Sequence, residues 1–406
     1  MVQTVDAEQE RTVAMLAKWV EQNSGTMNIA GVQAVGQMLR GELEPLGFKV
    51  EWVDMKAANR AGHLIARHKG KGKKMLLIGH LDTVFEKDSP FQHWTRNGDT
   101  GVGPGSSDDK GGDAVVVAAL RAMKAAGTLK NADITIVLTG DEEDAGDPLS
   151  ILRADLIREG KRADVAIDFE PLAREDGRDM GSTARRSSGS WEVKATGQTG
   201  HSSGVFSPGV GYGAIYELAR ILDQFRQQLP EPNLTYNVGI VSGGATATLE
   251  DGGIRGHETG KTNIIPPVAF ARGDLRALTP EQIARTKAKM QAIVAQSLPG
   301  TKAEISFDPG GYPPMAPTAG NRAILAEVNA INSDLGLAQM GELDPSKRGA
   351  GDISFVAADI DGLAGMGAAG SGSHAPGESV DIPSIFTQAK RTAILLTRLS
   401  KEQPRR

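Results

Sequence analysis

His80 and Asp82 stand two residues apart in Gly79-His80-Leu81-Asp82, directly after the apolar run Met75 to Gly79. Side chains two apart on an extended chain point to the same side, so the Asp82 carboxylate can hold and polarise the imidazole of a metal ligand. A second piece, Gly103-Pro104-Gly105-Ser106-Ser107-Asp108-Asp109-Lys110-Gly111-Gly112, has the glycines of a phosphate loop without its spacing, and its adjacent acids repel phosphate and suit a cation. An aspartate there also suits a helix N-cap ahead of the apolar run Ala114 to Leu120. The third piece, Asp141-Glu142-Glu143-Asp144, follows a strand-like run, where mutual repulsion calls for a neutralising cation. Glu170 before Pro171 and His374 in Gly372-Ser373-His374-Ala375-Pro376-Gly377-Glu378 add a carboxylate at a strand end and an imidazole in a glycine-rich loop. Each piece alone has an ordinary structural explanation; their conjunction points to metal chemistry.

Elements that could gather these residues are readable from periodicity. Apolar residues recur at helical spacing over Ala7 to Gln22 and Gly31 to Leu46, and again over Asp113 to Ala126. Met75 to Gly79, Ile134 to Thr139 and Val165 to Phe169 read as buried strands. Strands alternating with helices imply an α/β sheet, and His80, the Asp141 cluster and the Asp168-Phe169-Glu170 segment each follow a strand, at the edge where such sheets bind ligands. From 187 to 308 the order changes to β-α-β-β-α-β: a strand around Trp191 to Ala195, a helix Gly211 to Gln227, strands Leu234 to Val241 and Ile264 to Leu275, a helix Pro280 to Gln296 and a strand Ala303 to Phe307. That order matches an inserted ferredoxin-like unit, so the expected domains are 1–186 with 309–406, and 187–308.

Composition narrows the class. The 406 residues are 39% hydrophobic and 23% charged, ordinary for a folded chain of about two domains. Lys and Arg number 45 against 50 Asp and Glu, a net charge of −5, which argues against nucleic acid as a partner. Without cysteine, any metal falls to histidine and carboxylate. No apolar run suits a membrane span, and Met1-Val2-Gln3-Thr4-Val5-Asp6 lacks the basic and apolar regions of a signal peptide. The chain as written reads as soluble and cytoplasmic, or as periplasmic or secreted if a signal peptide was removed.

His80-x-Asp82, Asp108-Asp109-Lys110-Gly111-Gly112, Asp141-Glu142-Glu143, Glu170-Pro171 and the late His374 together resemble the zinc aminopeptidase-type family that includes glutamate carboxypeptidase, acetylornithine deacetylase, succinyl-diaminopimelate desuccinylase and aminoacylase. The motifs occur in the family order across nearly the whole chain. The resemblance implies a mixed-sheet catalytic domain flanked by helices and holding two divalent ions, zinc first and cobalt or manganese as alternatives. It implies that Asp108 bridges the ions, with His80 and Glu170 completing one site and Glu143 and His374 the other. Asp109 and Asp168 are the alternatives to Asp108 and Glu170; the family places its ligands before x-Lys and before Pro. Asp82 would orient His80, and Glu142 would act as general base. His201, in Gly200-His201-Ser202-Ser203, resembles the histidine that stabilises the oxyanion in a partner subunit, which makes the inserted domain a dimerisation domain and the protein a homodimer. Asn263, Arg276 and the Gly-rich turn at Gly351 resemble groups that bind the carboxylate of a small peptide or N-acyl amino acid. The charged connection Ala245 to His257 is longer than in glutamate carboxypeptidases, which bears on substrate identity.

Two other classes compete. Gly200-His201-Ser202-Ser203-Gly204 fits the G-x-S-x-G pattern of a serine hydrolase, but Ser207-Pro208-Gly209 stands where that motif needs a helix. A non-catalytic binding protein on the same scaffold would not need Glu142 beside every presumed ligand.

Overall fold

Short runs of alternating apolar side chains build a sheet that is covered on both faces. Along the strand Lys74–His80, Met75 and Leu77 join one apolar core while Leu76 and Ile78 join another across the sheet, and all four are buried. In the computed structural model, which describes residues 1–404, the sheet has six strands in the order Lys49–Asp54, Gly62–His68, Asp133–Thr139, Lys74–His80, Val165–Asp168 and Gly362–Leu363. The last four are mutually parallel; the first two run antiparallel to their neighbours. The larger core packs helices Gln9–Glu21, Ile29–Leu43, Lys110–Ala125 and Ile382–Leu399 on one face. Leu156, Ile353, Val356 and Ile360 cover the other.

This sheet belongs to one of two units, formed by Met1–Arg185 and the chain from Met315 onward; Arg186–Pro314 forms the second. The junctions fall at 185/186 and 314/315, against 186/187 and 308/309 expected from the sequence. Residues 309–314 stay with the second unit because the Ser188 amide donates to the Tyr312 carbonyl at 3.0 Å, and the first unit resumes where Met315 and Arg185 exchange hydrogen bonds at 2.9 Å.

In the second unit, strands Thr235–Tyr236 and Ile240–Gly244 both pair with Val268–Arg276, which pairs with Gly189–Gly197, which in turn pairs with Thr301–Phe307. All pairs are antiparallel. Helices Ala214–Gln228 and Pro280–Val294 bury Leu218, Ile221, Phe225, Met290 and Ile293 against Trp191, Val193, Ala269 and Ala271. The strand expected over Leu234 to Val241 is broken in two, and the one over Ile264 to Leu275 is interrupted at Pro266-Pro267, because proline cannot donate to a ladder. The charged connection Ala245 to His257 is not a loop: Thr246–Glu250 and Arg255–Thr259 pair as an antiparallel hairpin. Among the described residues no helix is long and apolar enough to cross a membrane.

Candidate metal centre

The parallel strands deliver the first unit's polar residues to one edge. His80 pairs with Thr139 in register, and Ile78 with Asp168, so the segments after these strands leave the sheet side by side. His80 Nδ1 lies 3.2 Å from the Asp82 carbonyl oxygen and 3.4 Å from Asp82 Oδ1, while Nε2 lies 3.2 Å from Asp108 Oδ1 and 4.0 Å from Glu170 Oε1. Asp82 is itself held: Thr26 donates to Oδ2 at 2.6 Å, and the amides of Glu142 and Glu143 donate to Oδ1 and Oδ2 at 3.0 and 3.1 Å. One buried carboxylate therefore both orients an imidazole and fixes the segment carrying two glutamates.

Asp108 is presented by a loop wrapped around Glu378. The Ser107 and Asp108 amides each donate to Glu378 Oε1 at 2.9 Å, the Ser107 hydroxyl does so at 3.1 Å, and the Gly105 amide donates to Oε2 at 3.1 Å. Glu378 lies in the same late segment as His374, so one side chain joins the two loops. His374, at φ +65°, places Nε2 3.0 Å from Glu143 Oε2 and 3.4 Å from Asp108 Oδ2. The two oxygens of Asp108 thus face opposite ways, one to His80 and one to His374.

The donors form two groups that share a member: His80, Asp108 and Glu170, and Asp108, Glu143 and His374, with the ligand atoms of each within 4.8 Å of one another. Ligands about 2.1 Å from a tetrahedral zinc ion stand about 3.4 Å apart, and the measured donor separations of 3.0 to 4.0 Å bracket that value. Imidazole with carboxylate is a donor set for zinc and its borderline neighbours. The residues therefore fit a pair of divalent cations bridged by Asp108.

Charge around the site supports the same reading. Burial, reinforced by Glu170, holds the Glu142 carboxyl well above its ordinary pKa, and burial lifts Glu143 to about 7. Hydrogen bonds to Asp108 and Glu143 raise His374 to about 11. Burial opposes ionisation of Asp108, but hydrogen bonds from His374 and His80 outweigh it and lower its pKa. Carboxyls crowded in this way hold protons that a bound cation displaces.

The alternative ligands Asp109 and Asp168 fall outside both donor groups. Asp109 occupies the N-cap position of helix Lys110–Ala125 without capping it; its Oδ2 accepts from the His80 amide at 3.3 Å. Asp168 Oδ2 accepts from Arg185 Nη1 at 3.1 Å. The same guanidinium reaches Glu170 Oε2 through Nη2 at 3.3 Å and the Gly349 carbonyl through Nε at 2.8 Å, and it also donates to the Ala350 carbonyl. The Gly-rich turn thus presents two carbonyls to Arg185. A Cβ at Gly351 would stand 2.2 Å from Arg185 Nη1, so a larger residue there would displace the guanidinium. Arg348 donates to the Pro171 carbonyl at 2.7 Å and stands 3.6 Å from Glu170 Oε2. Arg185, Arg348 and Thr26 sit outside every motif read from the sequence, and Glu378, though it closes the His374 segment, carried no expected role.

Within the second unit His201 and Asn263 are brought together. His201 pairs with Ile264, and the Ser202 amide donates to the Asn263 carbonyl at 2.9 Å. Both side chains are at the surface, and His201 Nδ1 meets Ser203 Oγ at 2.9 Å. Arg276 closes the nine-residue strand Val268–Arg276 at its other end, a span of about 26 Å, and its Nε donates to Asp274 Oδ2 at 3.0 Å. One chain therefore does not bring Asn263 and Arg276 to a common point. The G-x-S-x-G segment forms a single 3-10 turn, Ser202–Gly204, and the next helix begins only at Ala214, so the sharp strand-to-helix elbow is absent.

Comparison with known proteins gives the class. The pattern described as peptidase family M20/M25/M40 matches residues 76–398, and the chain belongs to that family of metallo-hydrolases. Carboxypeptidase G2 of Pseudomonas sp. (strain RS-16) is 28% identical over 397 residues, covering 95% of this chain and 88% of the relative. The succinyl-diaminopimelate desuccinylase of Delftia acidovorans is 25% identical, covering 97% of this chain and 99% of the relative. In fold, the aminopeptidase PepT of Bacillus cereus is similar with a TM-score of 0.76 at 19% identity, over 97% of this chain and 99% of that one.

Proposed function

We propose that the protein is a carboxypeptidase-type exopeptidase that hydrolyses an amide bond in a small peptide or N-acyl amino acid with a free carboxylate. The observation that carries this reading is the pair of donor groups sharing Asp108, with Glu142 adjacent to the ligand Glu143. Two divalent ions held there, zinc first, supply Lewis acidity toward a scissile carbonyl and toward water. Glu142 takes the proton of the attacking water and returns it to the leaving nitrogen, a task suited to a carboxyl whose pKa burial raises well above its ordinary value. Asp82 keeps His80 oriented and holds the Glu142 and Glu143 amides in place. Likeness to carboxypeptidase G2 supports the choice of reaction. Likeness to a desuccinylase supports a neighbouring reading, N-acyl-amino-acid deacylase, with the same machinery.

The second unit is proposed as a ferredoxin-like dimerisation domain. His201 and Asn263, sharing one edge, would serve a partner chain's site together, His201 on the oxyanion and Asn263 on the substrate carboxylate. Arg276 is the proposed guanidinium contact for that carboxylate and must first leave Asp274. Gly351 is the proposed further contact for that carboxylate, through the backbone N–H groups of its Gly-rich turn.

Glu142→Gln tests the reading. With metal still bound, turnover of N-acyl amino acids and dipeptides is expected to fall about 100-fold or more, and amidating the substrate carboxylate is expected to abolish activity of the parent enzyme. Near-parental turnover by the Gln variant would remove the proposed base.

A further inference from the structure

A fully buried ion-pair relay connects the two halves of the site from behind. The Arg153 side chain has no solvent exposure. Its Nη1 donates to Asp141 Oδ1 at 2.6 Å, its Nη2 to the Asp141 carbonyl at 3.1 Å, and its Nε to Asp352 Oδ1 at 2.7 Å. Asp352 also accepts from the Thr139 hydroxyl at 2.6 Å. Neither aspartate is a donor in the two candidate metal groups, but each borders one arm of the site. Asp141 directly precedes Glu142 and Glu143. Asp352 directly follows the 349–351 turn whose carbonyls hold Arg185 against Glu170.

We infer that Arg153 is a positioning residue for the reaction, fixing the segment that carries the base and one metal ligand relative to the turn that steadies the opposite ligand. The argument is one of constraint. The Glu142 and Glu143 amides are held by the buried Asp82 carboxylate, and the residue before them, Asp141, is paired with Arg153 at 2.6 Å. Arg153 satisfies the backbone carbonyl and the side chain of Asp141 with two arms of one planar fork, so the residue before Glu142 can neither rotate nor withdraw. The third arm engages Asp352 from the opposite side, so a shift of either segment must break a charge-assisted hydrogen bond in a dry interior. A lysine could keep the charge yet could not span three acceptors in one plane. Small displacements of such groups are costly: a misplacement of about 1 Å lowers turnover by about 100-fold.

The inference rests on Glu142 and the paired ion sites acting as proposed above, and its test separates the two ideas. Arg153→Lys and the milder Thr139→Val, which frees one side of Asp352, are compared with Glu142→Gln. Each is measured for thermal midpoint, kcat and KM separately, and the visible absorption spectrum of the cobalt-loaded protein. For Arg153→Lys the expected result is a drop in kcat of about 100-fold with KM within about threefold, together with a changed cobalt spectrum that reports altered ligand geometry. Thr139→Val is expected to show the same signature at smaller amplitude. A buried arginine that only supports the core would lower the thermal midpoint while leaving kcat and the cobalt spectrum at parental values in the folded fraction, and that outcome overturns the inference. If Arg153→Lys does not fold, Thr139→Val decides alone: parental kcat and spectrum overturn the inference. Full activity of Glu142→Gln would instead sink the catalytic reading, whatever Arg153 does.

Discussion

At the scale of single residues, the ligand candidates stood out because their chemistry is rare where it occurs. Acidic residues immediately after an apolar run, as at Asp141 to Glu143, cannot be mistaken for an ordinary solvated face. Residues that act on the ligands rather than as ligands left no such mark. Glu378 follows Ala375-Pro376-Gly377 and reads as a surface acid, yet it is 1% exposed and gathers three amides. Arg185 and Arg348 lie in runs of small and charged residues that carry no period. Glu378→Gln keeps the shape but removes the charge that makes those hydrogen bonds strong. Divalent-ion affinity is expected to fall about 10- to 100-fold, read by competition with a chelating dye; unchanged affinity would mean the Asp108 loop holds its form unaided.

At the scale of elements, buried strands with continuous aliphatic runs were legible, while the solvent-exposed ones and the buried strand Gly62–His68 were not. Met75, Leu76, Leu77 and Ile78 announce their strand, whereas the hairpin Thr246–Glu250 and Arg255–Thr259 is largely exposed and polar, and only its first arm alternates, through Ala247 and Leu249. The strand Gly62–His68 escaped notice through its small and basic residues, and it carries a consequence for acid stability. His63 is 1% exposed, with Nε2 donating to the Leu152 carbonyl at 2.7 Å and Nδ1 accepting from the Gly140 amide at 3.3 Å. Burial lowers its pKa, so below about 6.5 the unfolded chain takes up a proton that the folded chain refuses. Stability is therefore expected to decline as pH falls through that window, by up to about 1.4 kcal/mol per pH unit until the folded ring titrates. His63→Gln should flatten this slope in urea denaturation measured between pH 7 and pH 5, roughly the range the histidine governs. An equal slope in the variant would assign it to other groups.

At the scale of the whole molecule, the order of the motifs carried more information than any one of them. Only the inserted β-α-β-β-α-β order explained how Glu170 and His374 could serve one site across a long interruption, and it was readable because both helices of that unit have a clean apolar face. Pairing between chains rests on the family resemblance alone, since no periodic signal marks a surface as self-complementary. The second unit does expose Ile215 and Tyr216 at the start of helix Ala214–Gln228, beside Gly243 of the edge strand Ile240–Gly244. Tyr216 also meets Phe206, itself half exposed, with ring centroids 5.3 Å apart and planes tilted by 58°. Light scattering is expected to give twice the chain mass, and Tyr216→Asp, placing a charge in that patch, should give the single-chain mass with greatly reduced turnover. A fully active monomer would contradict the proposed role of His201.

A count of bound metal in the native protein and two variants bears on all of this at once. Native mass spectrometry after zinc loading should find two ions per chain in the parent, one in His374→Ala, which loses a donor of only one group, and none held tightly in Asp108→Ala, which loses the shared carboxylate. A parent chain that takes up a single ion, or an Asp108→Ala variant that still retains two, would contradict the bridged pair.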